Sequence, residues 1–82
     1  MKNETKIIIV KPPYIKLGQF LKLVGIIDRG SDAKSFLASN QILINGDVDT
    51  RRGKKLYHGD KVEFNKVVYE VQVDENQLPE TN

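Results

Sequence analysis

Four cations surround a glycine at positions 51–55, in the stretch RRGKK. They follow an Asn-Gly pair at positions 45–46, which is the strongest short-range signal for a β-hairpin turn. Like charges this close repel one another, so the cluster costs stability unless an anion neutralises it. Gly53 lets the backbone approach a ligand closely, because glycine has no side chain. The pattern predicts a phosphate-binding loop, and a merely solvated polar loop is the alternative.

The other residues that could perform chemistry do not form a catalytic or metal-binding pattern. The chain has one histidine, His58, and no cysteine, which leaves too few ligands for a zinc site. A general base also needs an orienting partner, so we expect at most a nucleic-acid contact from His58. Asp47, Asp49 and Asp60 flank turns, where aspartate commonly binds its own backbone. We expect no catalytic residue, no metal and no cofactor.

A nucleotide-binding P-loop is excluded as well. The Gly-Lys pair at 53–54 has no glycine five positions earlier, and lysine follows it where Ser or Thr is required. At 82 residues the chain is also short for an enzyme with a substrate pocket. The chemistry that remains is binding through positive charge.

Length and hydropathy predict a single compact domain. A chain of 82 residues buries only about 60–65% of the surface that it exposes when unfolded. The longest apolar run, residues 7–10, is too short to span a membrane, and the N-terminus lacks the apolar core of a signal peptide. We expect a monomer without a membrane partner.

The charge is unevenly distributed along the chain. There are 13 Lys+Arg and 11 Asp+Glu, a net charge of +2. Residues 74–82 (DENQLPETN) hold three acids and no base, so residues 1–73 carry 13 bases against 8 acids. The polar tail has no apolar periodicity, and we expect it to lack fixed structure. The predicted domain therefore spans residues 1–73 and is more basic than the whole chain.

Two short helices are predicted in the first half, after a β-branched strand at residues 5–10. Apolar residues at 17, 20, 21 and 24 form one helical face, and Gly25 is suited to end that helix. Ser31 or Asp32 can cap a second helix with its apolar face at 33, 36 and 37. Asn40 tolerates the left-handed conformation that often ends a helix.

The second half alternates with period two, which is typical of strands. Ile42 and Ile44 precede the Asn-Gly turn, and alternating apolar positions recur at 62–64 and 67–73. The element order predicts an α+β domain in which two short helices pack on a small, mostly antiparallel twisted sheet.

Further cations lie on or beside the two predicted helices. Lys2, Lys6 and Lys66 are scattered and are interpreted as ordinary polar surface. Tyr57 follows the cationic cluster and could stack on a base, although a partly buried core position is the alternative. The predicted nucleic-acid-binding residues are Lys16, Lys22, Arg29, Lys34, Arg51, Arg52, Lys54 and Lys55.

Residues 16–64 resemble the S4 RNA-binding domain, a family named after a small-subunit ribosomal protein. Lys16-Leu17 matches the opening of the family pattern, and Leu21 and Gly25 follow. Ala33 and Leu37 match the second helix. NQILING at 40–46 matches the strand motif, and Gly-Asp at 59–60 closes the pattern. The segments LGQFLKLVGII, AKSFL and TRRGKKLYHGD are similar to the short, stand-alone YaaA-like bacterial group, which is related to the YbcJ-like one.

The resemblance implies cytoplasmic binding of structured RNA, from rRNA or tRNA, through the helices and the following loop, possible ribosome association and no catalysis. Two positions depart from the family pattern: Gly18 replaces an aspartate, and Arg29-Gly30 replaces a Ser-Arg pair. Few aromatics accompany the cations, which favours recognition of A-form RNA by shape over base-by-base reading.

Two other functions fit the same sequence. Phosphate contacts do not distinguish sugars, so a DNA-associated accessory protein is one alternative. A protein-interaction adaptor is the other, because the apolar strand at 67–73 is predicted to form a sheet edge that could pair with a partner.

Overall fold

The computed structural model describes residues 4–74. Seven strands, two α-helices and one 3₁₀ turn form in this range. In chain order they are β1 (Glu4–Val10), β2 (Ile15–Lys16), α1 (Leu17–Leu23), the 3₁₀ turn (Gly30–Asp32), α2 (Ala33–Ser39), β3 (Leu43–Ile44), β4 (Asp47–Val48), β5 (Lys55–Leu56), β6 (Lys61–Phe64) and β7 (Val67–Val73).

The main sheet has five strands in the order β1-β7-β6-β3-β4. Strand β1 runs parallel to β7, and the other neighbours are antiparallel. Strands β2 and β5 form a separate antiparallel pair. The predicted α+β class with a mostly antiparallel sheet is confirmed.

One apolar core joins the helices to the sheet. The predicted face of α1 is confirmed, since Leu17, Phe20 and Leu21 are fully buried and Val24 packs against them. Each such side chain contributes roughly 1.5–3 kcal/mol when removed from water. The buried apolar residues are Val10, Leu17, Phe20, Leu21, Ile27, Ala33, Leu37, Ile42, Ile44, Leu56, Val62, Val71 and Val73.

Both helices end near the predicted residues, but the caps of α2 differ from the prediction. Gly25 follows α1 with φ +81°, as expected. Neither Ser31 nor Asp32 caps α2 with its side chain; both lie in a 3₁₀ turn that leads directly into the helix. Asn40 is extended (φ −133°), so its predicted left-handed conformation is wrong. Its backbone N–H and side-chain amide both donate to the Phe36 carbonyl, at 2.9 and 3.0 Å, and this double contact ends the helix instead.

The hairpin at Asn45-Gly46 forms as predicted. Both residues have positive φ, 53° and 91°, which is the pattern of a type I′ turn. The Asn45 side chain also accepts from the Lys61 N–H at 3.0 Å and donates to the Asp60 carboxylate at 3.1 Å. The Asn-Gly and Gly-Asp parts of the sequence pattern are therefore cross-linked side by side, and they hold β3 against β6.

Strand β7 is not a sheet edge, because it lies between β1 and β6. All seven of its residues pair with β1, from Glu4↔Val67 to Val10↔Val73. A central strand has no free hydrogen-bonding groups to offer a partner, so this correction removes the basis of the adaptor hypothesis.

Most of the predicted acidic tail lies outside the described residues. Its first residue, Asp74, donates its backbone N–H to the Val10 carbonyl at 2.9 Å. Between residues 4 and 74, no helix is long and apolar enough to cross a bilayer.

Candidate nucleic-acid interface

The cationic loop, residues 49–55, runs from β4 into β5. Its backbone docks on the start of α1. The N–H of Leu17 donates to the Lys54 carbonyl and the N–H of Gly18 to the Arg52 carbonyl, both at 2.8 Å. The first N–H groups of a helix have no partner within the helix, and no side chain caps α1. The loop therefore serves as the cap, and its side chains are held beside the helix start.

Gly18 makes this close docking possible. A Cβ atom at this position would lie 3.3 Å from the Ala33 Cβ and 3.4 Å from the Arg52 carbonyl oxygen. Since Ala33 begins α2, both helices and the cationic loop meet at Gly18. A side chain at this position would crowd the Ala33 Cβ and touch the loop backbone, so glycine suits the close docking.

The β2–β5 pair brings a second set of cations together. Lys16 and Lys55 are direct cross-strand partners, and the Lys55 ammonium lies 5.0 Å from the centre of the Tyr14 ring. That is within the range of a cation–π interaction. Tyr57 packs on Tyr14 with ring centres 5.6 Å apart. Two tyrosines therefore border the cations at this end of the molecule.

Arg51 differs from the other cations of the loop. Its guanidinium binds the Asp49 carboxylate through two nitrogens, at 2.7 and 3.1 Å, and its backbone N–H donates to the same carboxylate at 2.8 Å. The hydrogen bond from Arg51 lowers the pKa of Asp49, and Asp49 in turn raises the pKa of Arg51. The anion that neutralises Arg51 is thus part of the chain itself. Within residues 4–74, the remaining three cations of the loop have no such partner.

The eight predicted binding residues fall into distinct places. Lys34 is the second residue of α2 and follows Ala33, whose Cβ lies near Gly18. Lys22 lies near the end of α1, away from the loop, and lines a groove together with Gly30, the neighbour of Arg29. Grouped around the start of α1 are Lys16, Arg52, Lys54 and Lys55.

His58 and Asp60 have structural roles. The Nδ1 atom of His58 accepts from the Val73 N–H at 3.0 Å, and the Asp60 carboxylate accepts from the Tyr57 N–H at 2.7 Å. The predicted backbone bonding of turn aspartates is confirmed for Asp49 and Asp60. No cluster of three or more potential metal ligands occurs in the described range.

The sequence patterns did not indicate the groove beside α1. Its polar lining includes Lys11, Tyr14, Gln19 and Lys22. These residues come from the β1–β2 connection and from α1, so their proximity depends on the long-range pairing of β1. In the sequence, the only sign of this arrangement is that Tyr14 lies two residues before the cation Lys16.

The sequence of this chain was compared with known proteins and with protein-family models. Two relatives align with most of their own length. The chain is 54% identical over 50 residues to a Bacillus subtilis protein named "Probable ribosome maturation protein RlbA", covering 61% of this chain and 70% of the relative. It is 37% identical over 54 residues to the Escherichia coli protein named "Putative RNA-binding protein YbcJ", covering 66% and 77%. A family model described as S4 domain matches residues 8–72. The chain therefore belongs to the S4 domain family.

Proposed function

We propose that this protein is a non-catalytic module that binds structured RNA, with ribosomal RNA favoured over tRNA as its target. The observation that carries the proposal is the docking of the cationic loop on α1, at 2.8 Å through two backbone hydrogen bonds. This contact fixes a charged loop beside two helices in a family whose relatives are named for RNA binding and ribosome maturation.

Recognition proceeds through phosphates and shape. A-form RNA is bound largely through phosphate and 2′-hydroxyl contacts. The cations at the start of α1 are suited to the phosphate contacts. If four or five phosphates are neutralised, log affinity should fall against log salt with a slope of roughly −3 to −4.5. Ribosomal RNA as the target implies a cytoplasmic protein that associates with the ribosome or its precursors.

The test compares two triple variants with the same loss of charge. Arg52, Lys54 and Lys55 are replaced together by Ala, and the control replaces Lys2, Lys6 and Lys66. Arg51 is left intact because Asp49 already neutralises it. The loop variant should bind a structured RNA much more weakly than the control, and its salt slope should be smaller by about 2–3. The loss should be similar across RNA sequences, since phosphate contacts position the protein without reading bases.

Equal losses of affinity in the two variants would overturn the assignment of the loop. Circular dichroism of both variants checks that they fold; of the substituted residues that lie within 4–74, none is buried. Competition between matched RNA and DNA hairpins addresses the DNA-binding alternative, which predicts equal affinity for the two. Crosslinking in cells followed by sequencing of the bound RNA would distinguish ribosomal RNA from tRNA.

A further inference from the structure

An open groove of about 900 Å³ lies between the end of β1, the start of β2 and α1. Its apolar lining includes Ile9 and Leu23, which are 65% and 56% exposed. Exposed apolar side chains in a concave site are typical of a place where a ligand is bound.

An aromatic ring is fixed at the side of this groove. Tyr14 lines it, and the same residue is packed by Tyr57 and approached by the Lys55 ammonium. These contacts restrict the ring without hiding it, since Tyr14 is only half-buried. A pre-ordered tyrosine can stack on a nucleobase at a small cost in conformational entropy.

The charge of the groove favours an anionic occupant. Lys11, Gln19 and Lys22 lie in its lining, and none of the residues that line it in the described part of the chain is acidic. Lysines suit phosphates, whereas a glutamine amide can both donate to and accept from the edge of a base. Tyr14 also connects the groove directly to the cations of the β2–β5 pair.

We infer that this groove holds one unpaired nucleotide of the structured RNA, with its base against Tyr14 and the apolar lining residues and its phosphates near Lys11 and Lys22. The inference rests on the proposed function and adds to it a preferred RNA feature, a helix interrupted by a bulged or flipped-out base. Continuity with the cationic loop allows the paired stem and the bulge to be bound at the same time.

Three synthetic RNA hairpins test the inference. They share one stem, which is fully paired in the first, carries a single-adenosine bulge in the second and an abasic bulge in the third. Base–aromatic stacking predicts about five- to a hundredfold tighter binding of the adenosine bulge than of the abasic one. With 2-aminopurine in place of the bulged adenine, the protein should also protect the base from quenching by acrylamide.

Two variants with equal change of charge locate the site. Leu23→Glu places a carboxylate in the groove. Ile7→Glu is the control, because Ile7 lies on β1 and does not line the groove. The two residues are 56% and 57% exposed. Leu23→Glu should abolish the preference for the bulged base, while Ile7→Glu should keep it.

Equal affinity for all three hairpins would overturn the inference and leave the proposed function standing, with the groove open to another occupant such as an apolar peptide. Retained preference in Leu23→Glu would also overturn it, because the base would then bind elsewhere. Failure to bind any hairpin would refute the proposed function itself. The comparison of abasic and adenosine bulges needs only the unmodified protein, so it decides the question even if a variant does not fold.

Discussion

Asp49 shows how one residue changes the meaning of a charge cluster. Four cations in five positions predict strong mutual repulsion, but Asp49 lies two residues before Arg51 and binds it twice with its carboxylate. The same carboxylate holds the turn by accepting from the Arg51 N–H. Within residues 4–74, three cations of the cluster, Arg52, Lys54 and Lys55, thus have no acidic partner, which suits the proposed phosphate binding.

Asp49 should contribute to stability in a pH-dependent way. Arg51 lowers its pKa in the folded state, so the contribution is present above the pKa of the unfolded chain, about 3.9, and is lost as pH falls through the lower folded value. Asp49→Asn should therefore be less stable than the parent at pH 7. The difference between their urea midpoints should shrink as the pH is lowered towards 3. A difference that grows on acidification would contradict this assignment.

Replacement of Gly18 by aspartate, the residue of the general family pattern, should destabilise the fold. Gly18→Asp would press a carboxylate between the Ala33 Cβ and the Arg52 carbonyl, which costs about 1–3 kcal/mol as overpacking. A melting temperature lower by several degrees is the expected result in a thermal scan, since about 1 kcal/mol corresponds to roughly 4–8 °C for a domain of this size.

Gly30→Asp is the matched control for Gly18→Asp. Nothing in the described chain lies within 4 Å of a Cβ built at Gly30, and an acid at the start of a helical turn is electrostatically acceptable. Its stability should stay within about 0.5 kcal/mol of the parent. Equal melting temperatures for the two aspartate variants would show that the loop gives way at Gly18.

At the scale of elements, two turns that each begin with an asparagine at positive φ differ in what that side chain does. Asn45 and Asn65 both have φ 53°. The Asn45 amide binds Asp60 and Lys61, whereas Asn65 shows no side-chain hydrogen bond within residues 4–74. Asn45 therefore joins two hairpins, and Asn65 serves only its own turn.

Replacement of each asparagine by glycine separates these roles. Glycine accepts positive φ without strain, so Asn65→Gly should change stability little. Asn45→Gly should lose about 1–2 kcal/mol, because two hydrogen bonds disappear and the Asp60 carboxylate loses a donor. Urea unfolding measures both. Equal midpoints would mean that the cross-link between the hairpins contributes nothing.

The elements that sequence predicted are those specified by neighbouring residues. Apolar spacing located α1, and the Asn-Gly pair located the β3–β4 turn. The caps of α2 differ from the prediction because a 3₁₀ turn leads into the helix and because the backbone N–H and the side-chain amide of Asn40 both bind the Phe36 carbonyl. Strand β7 was mistaken for an edge because its parallel partner lies more than 60 positions earlier in the chain, as in Glu4↔Val67.

At the scale of the whole molecule, the binding surface depends on contacts that no local pattern shows. The cations could be named from sequence, yet their grouping around α1 depends on Gly18 accepting the loop backbone. The groove depends on the pairing of β1 with β7 and on the contact between the Tyr14 and Tyr57 rings. The excess of Lys and Arg in residues 1–73 predicts binding of anions. The shape of the surface that the fold builds determines which anions fit.

The acidic C-terminal residues should weaken RNA binding through the net charge. Deletion of residues 75–82 removes two of the 11 acids and no base, while keeping the bond from Asp74 to Val10. We expect unchanged cooperative melting and tighter binding of a structured RNA at low salt, because the chain becomes more positive. Glu75→Gln with Glu80→Gln in the full-length chain is the matched control, and it should reproduce the gain if charge is the cause. Both gains should vanish near 1 M salt, where the Debye length is about 3 Å. Weaker RNA binding after deletion would instead make the tail part of the interface, and loss of cooperative melting would make it part of the fold.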